Sequence, residues 1–248
     1  MTFHQKLLTL IFVNLAVMCY AISQEFAWYY ILYAWLGSKI FNAIGHEIGM
    51  HRLWTHRSFE TTRLKELVLH LFATPLLYGS SITYVGVHRH HHMYADTEKD
   101  SHIISPWYSM LFYKRNKDYN INPKLVADVI KDPYHKFFHK NYFYINVLIL
   151  VLCLILLGPV LTGWSLSFMV VYNWLAACAL NVLGHTPALG YRKFDTSDRS
   201  SNNSALQFLF WGVGLHNNHH ANPSSWTVKT TKYEVDFPGF LIKYIFKK

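Results

Sequence analysis

Long apolar runs alternate with polar, histidine-rich segments along this chain of 248 residues. Four runs, at about residues 7–22, 26–44, 142–161 and 164–183, approach the length of about 17 to 25 residues at which a helix crosses a hydrocarbon core. The links within each pair, Ser23–Glu25 and Thr162–Gly163, are short and contain no Lys or Arg. The pattern predicts an all-α integral membrane protein of one domain, residues 1–248, in which four transmembrane helices form two hairpins. Segments 45–141 and 184–248 would then form a helical cap on one side.

Three shorter apolar stretches fall inside that predicted cap. Leu64–Val85 is interrupted by a histidine, a proline and a glycine, so it is expected to dip into the membrane interface, with a fifth full span as the alternative. Ile103–Tyr113 and Phe237–Phe246 are expected to be interfacial helices. Their aromatic and aliphatic side chains would either pack the cap or form a lipid-facing entrance for a substrate.

Charge is distributed unevenly, although the formal net charge is +9. Thirteen Lys and Arg lie between Arg52 and Lys140 and eight from Arg192 onwards, so 21 of the 23 fall in the two cap segments. The positive-inside rule then predicts a cytoplasmic cap and cytoplasmic termini. Topology explains this bias, so the charge is weak evidence for nucleic-acid binding. The first run lacks a small-residue cleavage site, and we interpret it as a retained helix and not a signal peptide.

Cysteine chemistry is not indicated, because Cys19, Cys153 and Cys178 all fall within predicted spans. Their positions argue against both a disulfide framework and thiolate metal ligands.

Histidines are the chemical feature of the chain, which has sixteen of them. Two triads have the spacing i, i+3, i+4, which places their side chains on one helical face; they are His88, His91, His92 and His216, His219, His220. Asn181 and His185 share a face at i, i+4, whereas His90 points away from its triad. These stripes predict a metal site at the membrane boundary.

A further cluster, IGHEIGMHRLWTH, contains His46, His51 and His56 at intervals of five residues. Two side chains five residues apart differ by about 140° on a straight α-helix, so a chelating pair is expected to straddle a helix end. Spacing alone leaves open which pair acts. Gly45 and Gly49 form a small-x-x-x-small pair that favours close helix packing.

The number of ligands restricts the choice of metal more than the type of ligand does. Neutral imidazole suits zinc, copper, iron and nickel. Eight or nine converging histidines are enough for two metals. A nitrogen-rich, sulfur-free site beside a membrane favours redox iron acting on a lipid-like substrate.

Several motifs together resemble the membrane-bound fatty acid desaturases, and the similarity is strongest to delta-9 acyl-lipid and acyl-CoA (stearoyl-CoA-type) desaturases. HRLWTHRSF, GVHRHHH and LHNNHHANP resemble that family's first, second and third histidine boxes, in its order. ADTEKDSH, NVLGH and GYRKFDTSDRSSNN lie between the second and third boxes, as in the family. The resemblance runs from about Gly45 to Asp236.

This resemblance implies two iron ions held by nine histidines and by an asparagine-bound water. The implied ligands are His51, His56, His88, His91, His92, His185, His216, His219 and His220, with Asn181 holding the water. The implied reaction uses dioxygen and two external electrons to introduce a cis double bond, at delta-9, into a fatty acyl lipid or acyl thioester. The implied electron donor is a ferredoxin or a cytochrome b5. His46 is then not a ligand.

Three acidic residues are candidates to support the ligands: Glu47, one turn before His51, together with Asp96 and Asp100. The chain also departs from the family pattern. Val213 replaces a usual Glu and Leu215 an aromatic before the third box, and Cys178 stands where Trp is frequent. Gly86–Val87 replaces the Arg-Asp of animal acyl-CoA enzymes, which favours a bacterial inner membrane over the endoplasmic reticulum.

Two other functional classes remain as alternatives. A histidine-box lipid hydroxylase or alkane-type oxygenase would use the same ligands. A zinc protease or metal transporter is disfavoured, because HEIGMH is one residue too long for HExxH and the histidines do not lie in mid-span.

Overall fold

A computed structural model describes residues 2–102, 120–211 and 214–248. This part of the chain is helical apart from loops and two isolated β-bridges. The α-helices are α1 Phe3–Gln24, α2 Trp28–Phe41, α3 Arg63–Ala73, α4 Ser81–Tyr94, α5 Pro133–Thr162, α6 Phe168–Leu183, α7 Ser204–Phe210, α8 His216–Ala221 and α9 Phe237–Leu241. Three π-helical segments continue α2, α5 and α9 directly; they are Asn42–Thr55, Gly163–Ser167 and Ile242–Phe246. The predicted helix at Ile103–Tyr113 lies outside the described residues.

Helix α1 begins at a capping box, in which Thr2 and Gln5 satisfy each other's backbone N–H groups. It packs along α5 and α6 through a mainly apolar cluster that includes Leu10, Tyr142 and Val170. A buried hydrogen bond from Ser167 to Asn14 crosses this interface at 3.0 Å. Apolar burial therefore joins the first predicted hairpin to the second.

The turn of the second hairpin differs from the predicted one. Thr162 and Gly163 are helical, whereas Gly158 leaves helical geometry at φ 73° and ψ 169°, immediately before Pro159. Glycine adopts positive φ without a Cβ clash, and proline cannot continue the preceding hydrogen-bond ladder. The break at Gly158 therefore comes four residues before the predicted link, which begins at Thr162. Near it, the Trp164 indole donates to Glu25 O at 3.0 Å, so the far ends of both hairpins meet.

Helix α2 does not end near residue 44 as predicted, but continues as π-helix to Thr55. Helix α3 packs closely against this extension, and Gly45 and Gly49 make the approach possible. A Cβ on Gly45 would lie 2.5 Å from the Phe72 carbonyl carbon, and one on Gly49 would lie 3.2 Å from Leu69 Cβ. The close packing predicted for this glycine pair is confirmed.

Helices α3 and α4 are bent by 82° relative to each other, with Leu77 and Gly79 at positive φ in the link. The polar interruptions of Leu64–Val85 thus correspond to a real break. At the other end of the chain, residues 237–246 are helical as predicted.

Within the described residues, the helical stretches Phe3–Gln24 and Pro133–Leu183 are long and apolar enough to cross a membrane, and the bent α3–α4 pair would make a third. Large apolar side chains on these helices face outward: Ile155 and Leu156 are 72% and 76% exposed. Such a surface is unusual in water and suits lipid. Phe3, at the start of α1, stacks on His139 near the start of α5.

Candidate metal centre

Nine histidines from four separate segments converge into two groups. In each group one ring nitrogen from every residue lies within 4.8 Å of the others. The groups are His51, His56, His88, His92, His219 and His91, His185, His216, His220. These are the nine histidines that the family resemblance implied as ligands, and the two groups adjoin, since the His91 and His92 rings are 5.6 Å apart.

The π-helix explains the five-residue spacing of the first box. Its hydrogen bonds run from i to i+5, so residues five apart are stacked along one side. The backbone N–H of His56 donates to the backbone carbonyl of His51 at 3.1 Å, and the centroids of the two rings are 5.0 Å apart. His51 lies inside the last turn and His56 is the cap residue, as predicted. The premise of a straight α-helix was wrong, because π geometry already aligns the pair.

The Nε2 atoms approach one another closely, both between segments and within α4. Separations are 3.0 Å for His51–His219, 3.0 Å for His216–His185 and 3.2 Å for His92–His88. Two nitrogens bound at about 2.1 Å to one metal at a right angle would be about 3.0 Å apart. Lone pairs facing each other at this distance repel unless a cation lies between them, so the donor geometry fits metal ions.

Two further ring nitrogens support this fit. Nε2 of His56 and Nε2 of His220 are buried and have no hydrogen-bond partner among the described residues. A buried polar atom without a partner costs free energy, and a bound metal would remove that cost. The donor set of the two groups has nitrogen and no sulfur, so it is not a thiolate site, and it suits zinc, copper, iron or nickel.

Several of these imidazoles are held in the neutral form that binds metals. Burial, followed by neighbouring imidazoles, lowers the pKa of His56, His216 and His219 well below the usual histidine value. Burial likewise lowers the pKa of His220 to about 3, although its hydrogen bond to Asp198 acts in the opposite direction.

Carboxylates orient the second group of histidines through their Nδ1 atoms. His91 lies 3.0 Å from both Asp100 oxygens, and His185 lies 2.8 Å from Asp96 Oδ2. Both aspartates were candidates from the sequence. When a carboxylate accepts from Nδ1–H, Nε2 is left with its lone pair for a metal.

Asp198 is a third such carboxylate, and the sequence reasoning missed it. His220 Nδ1 lies 2.9 Å from Asp198 Oδ2. Burial raises the pKa of the Asp198 carboxyl, but hydrogen bonds from His220 and Ser200 outweigh burial and hold that pKa below its usual range. The guanidinium of Arg192 donates to the carbonyls of Thr196, Asp198 and Ser200, and so shapes the loop. The family-like stretch GYRKFDTSDRSSNN was the available signal.

Glu47 contacts one member of the first group, His51, and two other side chains, Arg52 and His46. Its Oε2 is 3.4 Å from His51 Nδ1 and 3.4 Å from the Arg52 guanidinium, while its Oε1 is 3.1 Å from His46 Nδ1. Arg52 in turn makes two 2.9 Å hydrogen bonds to Asp236. The geometry agrees with the hypothesis that Glu47 supports His51, and it adds a buried connection to the C-terminal segment.

The non-histidine residues of the boxes join the segments together. Arg89 of the second box donates to the carbonyls of Trp54 and Thr55, where the π-helix ends. Asn217 of the third box contacts Lys193 N and Phe194 N, which fixes the Asp198 loop. Hydrogen bonds from residues within the boxes therefore hold the histidine-bearing segments to one another and to the Asp198 loop.

His46 and His90 belong to neither of the two groups formed by the described residues. His46 pairs through Nε2 with the Tyr84 hydroxyl at 2.7 Å, and the His90 ring lies 4.7 Å from that of Tyr94. Asn181 lies on α6 and lines a cavity; His185 follows four residues later, just beyond the end of that helix.

That cavity has a volume of about 510 Å³ and reaches His51, His88 and His216, so it borders both histidine groups. Its wall is largely apolar and runs toward the N-terminal half of α1; it includes Leu7, Leu8, Ile11, Leu77, Trp174 and Phe210. Cys178, at the position of a frequent family Trp, also lines it. Leu215 is buried, whereas Val213 lies outside the described residues.

Comparison with known proteins places the chain in a family. A protein-family sequence model described as fatty acid desaturase matches residues 25–233. An sn-1 stearoyl-lipid 9-desaturase from Anabaena variabilis is 33% identical over 229 residues, which cover 90% of this chain and 83% of that protein. An acyl-CoA 5-desaturase from Anemone leveillei is 27% identical over a region that covers 92% of this chain and 74% of that protein. An sn-2 palmitoyl-lipid 9-desaturase from Nostoc sp. (strain 36) is 30% identical, covering 83% and 74%.

Proposed function

Because this chain belongs to the fatty acid desaturase family, and so is an oxidoreductase of lipid metabolism, we propose that it introduces a cis double bond at delta-9 of a long acyl chain. The observation that carries the proposal is the pair of histidine groups at the end of an apolar cavity. The delta-9 position is supported by the two cyanobacterial relatives, which are named as 9-desaturases.

The nine grouped histidines would hold two iron ions, with Asn181 retaining a water near the second group. Bound iron would supply the oxidising power that a methylene without an acidic proton requires, since no side chain could act on it as acid or base. The chain's own part is to keep nine Nε2 atoms aimed inward. Asp96, Asp100 and Asp198 do so for three of the histidines, and Glu47 would do so for His51.

The cavity would bind the acyl chain and fix one carbon pair beside the metals. Alkyl burial contributes about 0.8 kcal/mol per methylene, so an apolar tunnel can hold a long chain firmly. Its shape would set which carbons react. An acyl lipid is favoured over an acyl thioester, because Gly86–Val87 lacks the Arg-Asp pair of animal acyl-CoA enzymes and the similarity to the Anabaena acyl-lipid enzyme is greater.

We assign four spans and a cytoplasmic cap, in a bacterial inner membrane. Helix α2 would be the second span, and the break at Gly158 would separate the third from the fourth. The outward apolar surface of α5 and the basic cap segments support this topology. Electrons would come from a separate ferredoxin or cytochrome b5, and dioxygen would be the oxidant.

A hydroxylase with the same histidines is the alternative chemistry. The relatives described above are all desaturases, which disfavours it. Spacing supports the same choice, since the two histidines of the first box are five residues apart and Asn181 precedes His185 by one turn.

The test is expression in a host that lacks the activity, followed by mass spectrometry that locates double bonds in the extracted lipids. Wild-type protein should yield monounsaturated chains with a delta-9 bond and bound iron. His91→Ala should abolish product, while His90→Ala, a neighbour on the same helix outside both groups, serves as the matched control. Hydroxylated chains without new unsaturation would contradict the proposal, as would zinc in place of iron.

A further inference from the structure

A tyrosine, a histidine and a glutamate form a connected polar chain beside the first histidine group. The Tyr84 hydroxyl lies 2.7 Å from His46 Nε2, and His46 Nδ1 lies 3.1 Å from Glu47 Oε1. Glu47 is fully buried and His46 is 8% exposed. None of the three belongs to the metal-binding groups, although His46 repeats the five-residue spacing of the box.

This chain is in direct contact with two of the grouped histidines. The Tyr84 ring stacks on His88 at a centroid distance of 5.4 Å and an interplanar angle of 20°. The His46 ring lies parallel to that of His51 at 5.8 Å and 6°, because the π-helix aligns residues five apart. Tyr84 and His46 also line the acyl cavity. The phenol is therefore adjacent to both the metal ligands and the substrate space.

The carboxylate biases the protonation of the histidine through its charge. Glu47 Oε1 and His46 Nδ1 lie 3.1 Å apart as an ion-pair contact and are not aligned as a hydrogen bond. A buried negative charge at this distance favours the neutral tautomer of His46 that carries its proton on Nδ1. Nε2 then presents a lone pair to the Tyr84 O–H, so the phenol donates that hydrogen bond. A phenol in this arrangement can lose an electron without becoming a high-energy cation, since its proton has an acceptor at 2.7 Å.

We propose that Tyr84 is a redox-active residue that delivers one electron to the oxidised metal pair while its phenolic proton moves to His46 Nε2. This inference rests on the proposed function, because the oxidant is the iron pair after reaction with dioxygen. The O–H bond of Tyr84 breaks and an N–H bond forms on His46. The products are a neutral Tyr84 phenoxyl radical, a His46 imidazolium beside the Glu47 carboxylate, and a metal pair reduced by one electron.

The cycle closes when a one-electron carrier reduces the radical and His46 returns the proton. The step is expected when the cavity holds no acyl chain, since an oxidised site then has no substrate methylene to attack. In each pass Tyr84 would thereby remove one oxidising equivalent from the site, and repeated passes with electrons from the carrier would protect its ligands from damage.

Tyr78 provides a matched comparison within the same cavity. Its ring is also close to His46, with centroids 4.8 Å apart. Its hydroxyl, however, faces Asn173 O at 2.8 Å and Asn42 Oδ1 at 3.2 Å, and neither amide oxygen accepts a proton readily. Tyr78 is thus a tyrosine in nearly the same place without the proton acceptor.

The experiment is rapid freeze-quench electron paramagnetic resonance on the full-length, iron-loaded protein. Anaerobically reduced enzyme is mixed with dioxygen in the absence of acyl substrate. A radical with tyrosine hyperfine structure should form, narrow when ring-deuterated tyrosine is incorporated, and fall at least tenfold in Tyr84→Phe. Tyr78→Phe should retain it, and His46→Gln should slow its formation at least tenfold. Iron content is measured in every sample.

A wild-type enzyme that makes double bonds but forms no tyrosine radical would overturn the inference and leave the proposed function intact. A radical that survives in Tyr84→Phe, or that disappears equally in Tyr78→Phe, would also overturn it. If Tyr84→Phe loses iron, His46→Gln is the variant that tests the inference. An unchanged rate of radical formation in His46→Gln would contradict proton transfer from Tyr84 to His46. Absence of both iron and new double bonds in the wild type would contradict the proposed function instead.

Discussion

At the scale of single residues, the candidate site depends on which nitrogen of each imidazole faces inward. Three aspartates from two loops contact Nδ1 of His91, His185 and His220, and so direct Nε2 toward the other histidines. A histidine without such a partner can rotate or change tautomer, and its metal affinity falls.

Asp198→Asn tests this orientation at the residue that the sequence reasoning missed. An amide can still contact His220, but it lacks the charge that stabilises Nδ1–H, so iron affinity should fall about 10- to 100-fold. Affinity is measured by titrating apo-protein with Fe²⁺ against a competing chelator. Asp195→Asn, at an exposed position in the same loop, is the control. Equal affinities for wild type and Asp198→Asn would show that the contact has no role.

The sequence was sufficient to predict that the two histidine triads come together, because their spacing at i, i+3, i+4 on helices is a local pattern. His51 and His56 followed only from the family resemblance. The choice between Asp195 and Asp198 was not local. It depends on a loop that is folded around Arg192 and held by Asn217, which lies more than twenty positions along the chain from its partners Lys193 and Phe194.

At the scale of elements, the first box depends on a π-helix held against α3. Residues five apart in the chain align only while this geometry persists, and α-helical repacking would rotate His56 away from His51. The sequence indicated close packing through Gly45 and Gly49, but it did not indicate π hydrogen bonding. It also misplaced the second hairpin turn, because Gly158–Pro159 lies inside an otherwise uniform apolar run.

Gly45→Ala should therefore destabilise the protein. Its Cβ would lie 2.5 Å from backbone atoms of Phe72, which cannot rotate aside as a side chain could. The expected cost is about 1 to 3 kcal/mol, with loss of iron as the π-helix shifts. Gly37→Ala is the control, since a Cβ there meets nothing within 4 Å, and alanine favours a helix by up to about 1 kcal/mol. Thermal unfolding in detergent should rank Gly45→Ala lowest; equal midpoints for both variants would contradict this account.

At the scale of the whole molecule, the proposed membrane-spanning body and the proposed polar cap would meet at the histidine groups. The first consequence concerns acid. The pKa of folded His220 lies at about 3, against about 6.5 in an unfolded chain, so the unfolded state takes up protons first as pH falls. Stability from this group is complete above pH 6.5 and decreases as pH falls toward 3, by up to about 1.4 kcal/mol per pH unit.

Protons also compete with iron for the same nitrogens, so acid should remove the metal. Iron retained after dialysis, measured by atomic absorption across this pH range, is expected to fall below pH 6.5. Circular dichroism of the same samples separates metal release from unfolding. Iron content that stays constant well below pH 6 would contradict histidine ligation of an exchangeable metal.

The second consequence concerns the electron donor. The two cap segments contain 21 of the 23 basic residues, which would create a positive face for an acidic carrier such as a ferredoxin. Attraction of this kind raises encounter rates and is screened within about 10 Å at 0.1 M salt. Turnover at limiting donor should therefore fall as sodium chloride is raised, whereas turnover at saturating donor should change much less. Charge reversal at exposed Lys229 and Lys232 of the cap should reduce the rate at limiting donor, and Gln24→Lys at the far end should not. A rate at limiting donor that does not change with ionic strength would rule out docking on the basic face, and electrons would then enter by a contact that does not depend on charge.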